Sequence, residues 1–143
     1  MGRIICLDVG DRRIGVAISS PEGLLAVPLR IIERKKEPAD IEAIVALARD
    51  EQVVAFVVGY PLSLDGTAGQ QARQVEGFAR RLKKAAGIAL ELWDERLTSV
   101  QAGRSLTGSR RRGPVDDLAA AIILQGYLDR QQLNAANAGD AAP

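Results

Sequence analysis

The spacing of apolar and polar residues changes repeatedly along this chain, and each change marks an element. Residues 3–9 (RIICLDV) are apolar on both faces of a strand. Ile4, Cys6 and Asp8 share one face, and Ile5, Leu7 and Val9 share the other. Gly10 lets the chain turn, and RIGVAIS (13–19) runs back as a second strand. Residues 24–33 (LLAVPLRIIE) predict a third, with Pro28 calling for an edge position or a bulge. The links among these strands are short, which predicts an antiparallel meander. Pro38 suits the first turn of a helix with apolar residues Ile41, Ile44, Val45 and Ala48, running to about Asp50. A buried strand, VVAFVVG (53–59), leads into the turn-rich loop YPLSLDGTAG, and Gly59, Pro61, Gly66 and Gly69 read as shaping that loop. A helix over Gln70–Ala86 stops at Gly87, and IALELW (88–93) is another strand. Thr98 or Ser99 caps a short helix through Leu106, and TGSRRRGP is a basic loop. A last helix spans about Val115 to Arg130, and residues 131–143 read as a frayed or disordered tail.

The resulting order, βββ-α-β-α-β-α-α, predicts an α/β domain over residues 1–130. It holds a five-stranded mixed sheet, three antiparallel strands then parallel ones, with right-handed crossovers and helices on both faces. At 143 residues and 47% hydrophobic content, one core is expected. The net charge of +1 is uninformative, but its distribution is not: five arginines and no acid lie between Arg96 and Arg112. A single cysteine excludes an intramolecular disulfide and fits a reducing cytosol. No signal peptide or segment of transmembrane length is legible, so a cytoplasmic protein is expected. The absence of histidine removes the usual general base and leaves zinc without its common ligands. Chemistry here must run on carboxylates, hydroxyls, amines or a hard cation held by oxygen.

Three acidic spots fall where such a sheet could bring them together, the first two outside the carboxyl ends of its parallel strands, where ligands gather. Asp8 lies late in the first strand, Asp94 and Glu95 follow the strand ending at Trp93, and Asp116 and Asp117 open the last helix. For that helix, a stripe of Val115, Leu118, Ala119, Ile122 and Gly126 is expected to face the sheet. Asp116 then sits at its edge, on the side of Ile123, and Asp117 points nearly opposite. Converging carboxylates repel one another, and Mg²⁺ or Mn²⁺ removes that penalty. Two such ions can activate water and stabilise the leaving oxygen in phosphodiester hydrolysis. Arg96, Arg104, Arg110, Arg111 and Arg112 supply charge for a phosphate backbone. The bland readings are a buried salt bridge from Asp8 to an arginine such as Arg13, a solvated Glu95, a first-turn acid at Asp116, a core Trp93 and a core Cys6.

LDVGDRRIGVAIS, VVGYPLSLDGTAGQQA, LWDERLTSVQA and VDDLAAAIILQGYLD together resemble the YqgF/RuvX family of nucleases with an RNase H-like fold, relatives of Holliday-junction resolvases. The resemblance spans roughly residues 3 to 130. It implies a metal-dependent nuclease with catalytic and metal-holding acids at Asp8, Glu95 and Asp116, and with Asp94 and Asp117 as further candidate ligands. Arg12 and Arg13 join the arginines as candidate nucleic-acid contacts; Arg12 and Asp11 stand where family members usually carry Lys and Thr. The implied partner is structured RNA precursor or branched DNA, bound by a monomer or homodimer. The implied role is processing of the pre-16S ribosomal RNA. Holliday-junction cleavage and a non-enzymatic ribosome-maturation factor are the alternatives. The strand-turn-strand DVGDRRIGVA is also similar to the phosphate hairpin of actin-like ATPases, which need a second such domain.

Overall fold

The meander forms as the sequence predicts: β1 (Arg3–Val9) pairs antiparallel with β2 (Arg13–Ser19), and β2 with β3 (Ala26–Glu33). The computed structural model describes residues 2–63, 65–97 and 115–141, and the side chains of the last helix over 118–136. Gly10 closes the first turn, its N–H donating to the Arg13 carbonyl at 2.8 Å; a Cβ there would stand 2.9 Å from that same oxygen. Pro28 lies on an edge strand, and the β2–β3 register slips between Val16 and Ala17. A proline at the edge costs no ladder hydrogen bond, and the irregularity blunts an otherwise exposed edge. β3 starts two residues later than the apolar run. Leu24 and Leu25 remain exposed in the turn, where the Gln125 amide donates to the Leu24 carbonyl and accepts from the Ala26 N–H.

α1 (Glu37–Asp50) leads to β4 (Val53–Tyr60), α2 (Gln70–Ala86) to β5 (Ala89–Asp94), and β5 runs into a 3₁₀ turn at Glu95–Leu97. Gly87 ends α2 in the left-handed region, at φ 70°, donating to the Lys83 carbonyl. The sheet order is β3-β2-β1-β4-β5, with β1, β4 and β5 parallel. This is the expected five-stranded mixed sheet. The expected short helix at 98–106 and the basic loop lie outside the described residues.

Strand alternation divides the core in two. Ile5, Leu7, Val9, Val16, Phe56 and Val58 pack against α1 and α2. Cys6, Ala17, Val57 and Trp93 pack against the last helix, α3 (Val115–Ala141). The two faces expected of β1 are therefore both covered, and Asp8 belongs to the α3 face. Burying side chains such as Phe56, Phe78 and Leu7 contributes roughly 1.5–3 kcal/mol each.

Two expectations for α3 require correction. The stripe that packs on the sheet is Ala120, Ala121, Ile123, Leu124, Tyr127 and Leu128, not the one led by Leu118, Ala119, Ile122 and Gly126. The run LAAAIIL is apolar around nearly the whole helix, so periodicity alone leaves its phase open. Tyr127 settles it, edge-on to Trp93 at a 5.2 Å ring separation. The helix also continues past Arg130 to Ala141, through the stretch read as a tail. Gln131, Gln132, Leu133 and the alanines are good helix formers, and no proline intervenes before Pro143.

Candidate metal centre

Two strand registers bring Asp8 and Glu95 together. Asp8 is opposite Gly15 of β2, and the β1–β4 pairing, with Leu7 opposite Val58, carries it to the level of Gly59. On the far side of β4, Gly59 is opposite Trp93 and Tyr60 opposite Asp94. The 3₁₀ turn then folds the Glu95 carboxylate back over Gly59: a Cβ built there would lie 2.7 Å from Glu95 Oε2 and 3.0 Å from Ile123 Cδ1 of α3. Gly59 is thus the floor of the site and Ile123 one wall.

The electrostatics report the same convergence. Burial, then the charges of Asp8 and Asp94, push the Glu95 carboxyl up to about 7. The buried Cys6 thiol, two residues from Asp8 on the same face, is raised by burial first and then by Asp8 and Glu95. Cys6 is accordingly a core residue that senses both acids. Carboxylates pressed together at the end of a sheet are an all-oxygen donor set, which fits a hard divalent cation and disfavours a soft one. Among the described residues no group of three or more metal-ligating side chains occurs; the side chains of Asp116 and Asp117 lie outside them.

Asp94, the further candidate ligand beside Glu95, is held by Arg96. Its carboxylate takes the Arg96 guanidinium, Nη2 to Oδ2 at 2.7 Å and Nε to Oδ1 at 3.0 Å, and also the Arg96 N–H at 2.9 Å. The Arg96 side-chain hydrogen bond is the main reason its pKa is lowered. Arg96 is in turn fixed in direction. It lies along the loop after β4, where Gly66 at φ +89° would carry a Cβ only 3.6 Å from Arg96 Nη1. That loop is itself ordered by the Leu62–Ala68 bridge and by Asp65, whose Oδ1 accepts from Thr67 N–H at 3.0 Å and Thr67 Oγ1 at 2.7 Å.

Of the other candidate contacts, Arg12 is exposed in the first turn, and Arg13 is half-exposed with Glu33 at 3.8 Å. Arg104, Arg110, Arg111 and Arg112 lie outside the described residues. Two features escaped sequence reasoning. Gly59 read as the end of a buried strand and a shaper of the loop after it, although its place on the Val57 face of that apolar run marked it for the site. The buried Asp40 was unremarked. It accepts from Arg34 Nε at 3.3 Å and from the Lys35 N–H at 2.9 Å, while Arg34 Nη1 donates to the Gly10 carbonyl at 3.0 Å and the guanidinium lies over Phe78. This network anchors the turn that follows Asp8.

Comparison with known proteins agrees with this architecture. Residues 2–130 match the model of the RuvX family, described as Holliday junction resolvase. A relative from Syntrophus aciditrophicus, named "Putative pre-16S rRNA nuclease", is 48% identical over 132 residues, covering 89% of this chain and 88% of its own. One of the same name from Clostridioides difficile is 45% identical, covering 90% and 94%. Among solved structures, T. thermophilus RuvC in complex with Holliday junction substrate aligns with a TM-score of 0.71 at 10% identity, over 94% of this chain and 97% of that one. The yeast mitochondrial Holliday junction resolvase Ydc2 aligns at 0.50 and 13% identity, over 89% and 78%. These two likenesses place the fold as RNase H-like. The chain belongs to the RuvX family.

Proposed function

We propose that this protein is a metal-dependent nuclease that hydrolyses phosphodiester bonds in the small-subunit ribosomal RNA precursor. The observation that carries the reading is the Glu95 carboxylate seated over Gly59, at the strand level of Asp8, with burial and the charge of Asp8 pushing the Glu95 carboxyl up to about 7. Asp8, Glu95 and Asp116 would hold Mg²⁺ or Mn²⁺. Asp116 stands two turns ahead of Ile123, the α3 residue that walls the Glu95 seat. When bound, the cation lowers the pKa of a water and takes up charge on the phosphate.

The chain's own residues do the rest. The partial burial of Glu95 and the charges of Asp8 and Asp94 make its ionised form costly, a penalty that a cation held there would relieve. Asp94 aims Arg96 as a positioned phosphate partner beside the loop after β4. Arg12, Arg13, Arg104 and Arg110–Arg112 add charge for the backbone, with affinity that falls as salt rises. No described helix is long and apolar enough to cross a membrane. The enzyme is placed in the cytoplasm, as monomer or homodimer, as part of the same proposal.

The relatives' name favours the RNA substrate, and the family description favours a branched-DNA alternative. Purified protein is offered a precursor ribosomal RNA fragment and a four-way DNA junction side by side, in Mg²⁺, Mn²⁺ or chelator. Metal-dependent cutting of the RNA is expected. Cutting of the junction alone assigns the resolvase reading, and binding without cutting of either assigns a maturation factor.

A further inference from the structure

α2 carries five basic residues against one acid, in a chain whose net charge is +1. Its acid, Glu76, is engaged by the Tyr60 hydroxyl at the end of β4, and Arg81 by Glu37 across the α1–α2 contact, Nη2 to Oε1 at 3.0 Å. Gly77 makes room for that reach, since a Cβ there would sit 3.2 Å from the Arg81 guanidinium. At 100° per residue, Arg73, Arg80 and Lys84 fall on one ridge opposite the buried Val75 and Leu82. All three are exposed, and among the described residues none of them forms an ion pair. The ridge is about 16 Å long at 1.5 Å per residue.

Helix stability does not account for this pattern. Arg80 and Lys84 form a like-charge i,i+4 pair, which is unfavourable. Lys83 and Lys84 complement the helix dipole at the carboxyl end, but Arg73, in the second turn from the amino end, gains nothing from it. α1 on the same side of the sheet bears Glu37, Asp40 and Glu42 in its first half, so the cationic face is specific to α2.

We infer that the Arg73–Arg80–Lys84 ridge is a second backbone-binding surface, for a distant segment of the structured RNA whose scissile phosphate reaches Asp8 and Glu95. This rests on the nuclease reading for the identity of the RNA. α2 covers the sheet face opposite to α3, so a straight duplex cannot lie on the acids and the ridge together. A folded RNA that bends round the carboxyl end of the sheet can, passing the loop after β4 and meeting Arg73 first. The ridge thereby favours substrates with two arms over a single stem.

The test is binding in chelator, by fluorescence anisotropy across a salt series, to a two-stem RNA, a single short stem-loop and a four-way DNA junction. Arg73→Gln/Arg80→Gln/Lys84→Gln is compared with wild type and with Arg30→Gln/Lys35→Gln/Arg49→Gln, which removes equal charge elsewhere. Each lost phosphate contact lowers the salt slope by about 0.9. The ridge variant should lose two to three in slope and about tenfold or more in affinity on the two-stem RNA. The single stem and the control variant should change little. Arg73→Lys/Arg80→Lys/Lys84→Arg should restore the slope, because point charges suffice and a misfolded helix would not be rescued. An unchanged slope on the two-stem RNA, or an equal loss in the control, overturns the ridge. A loss seen on the DNA junction alone overturns the RNA assignment. Because no metal is present, a protein that binds in this way but never cleaves would sink the nuclease reading and leave the ridge standing.

Discussion

Replacing Gly59 with alanine should separate the site from the fold. The new Cβ would stand 2.7 Å from Glu95 Oε2, whereas ordinary contact begins near 3.4 Å, so the carboxylate has to retreat by about 0.7 Å. Ile123 Cδ1, at 3.0 Å, has to yield by about 0.4 Å. The end of a glutamate side chain moves cheaply, and overpacking of this size costs about 1 kcal/mol. The lower chain entropy of alanine in the unfolded state offsets about half of that. Catalysis has no such tolerance, because a misplacement approaching 1 Å can cost about a hundredfold in rate. Cleavage should therefore fall about tenfold to a hundredfold, while the urea midpoint moves by less than the equivalent of about 1 kcal/mol. Gly69→Ala is the control, since a Cβ there meets nothing within 4 Å. Single-turnover cleavage and urea unfolding on the same preparations decide it. A Gly59→Ala rate within about threefold of wild type would refute the reasoning, as would a loss of rate explained by the unfolded fraction alone.

Other expectations follow from the charges. Glu95 has its folded pKa raised, from 4.5 to about 7, so the metal-free native state binds this proton more tightly than the unfolded chain does. That stability is present below the unfolded value and is lost as pH rises through about 4.5 to 7, amounting to roughly 2 kcal/mol after allowance for solvent screening. Glu95→Gln should remove this dependence in chelator and leave the variant more stable than wild type at about pH 8; equal pH slopes of unfolding would contradict it. Asp40→Asn should cost about 3 kcal/mol in urea unfolding, because it leaves the Arg34 guanidinium without its buried counter-charge. A shift below about 1 kcal/mol would show that the Gly10 carbonyl and Phe78 suffice to hold Arg34.

The succession of elements, the meander and the two-sided burial of β1 were legible because apolar runs and short turns leave few arrangements. Asp8 was legible for a related reason: a carboxylate in an otherwise apolar strand is conspicuous. The phase of α3 was not, since LAAAIIL offers an apolar residue in almost every direction and only the Tyr127–Trp93 contact selects one. Its continuation to Ala141 was hidden because the composition suits both a solvated helix and a tail. Asp94 read as a further candidate ligand beside Glu95, and its pairing with the guanidinium two residues on was not legible, because the 3₁₀ turn that brings Arg96 back over it leaves no periodic signal. Gly59 was hidden by a rule of thumb that assigns glycine to turns. Its role appears only when two registers place it between Asp8 and Glu95.

The most direct measurement is single-turnover cleavage of the precursor RNA in Mn²⁺ by wild type and Asp8→Asn, with RNA binding and unfolding measured on both. The substitution keeps the shape of the side chain and removes its charge. The account predicts a loss of about three orders of magnitude in rate, near 4 kcal/mol of transition-state stabilisation, with binding and stability retained. An Asp8→Asn rate within about tenfold of wild type would mean that the carboxylates over Gly59 do not perform the chemistry.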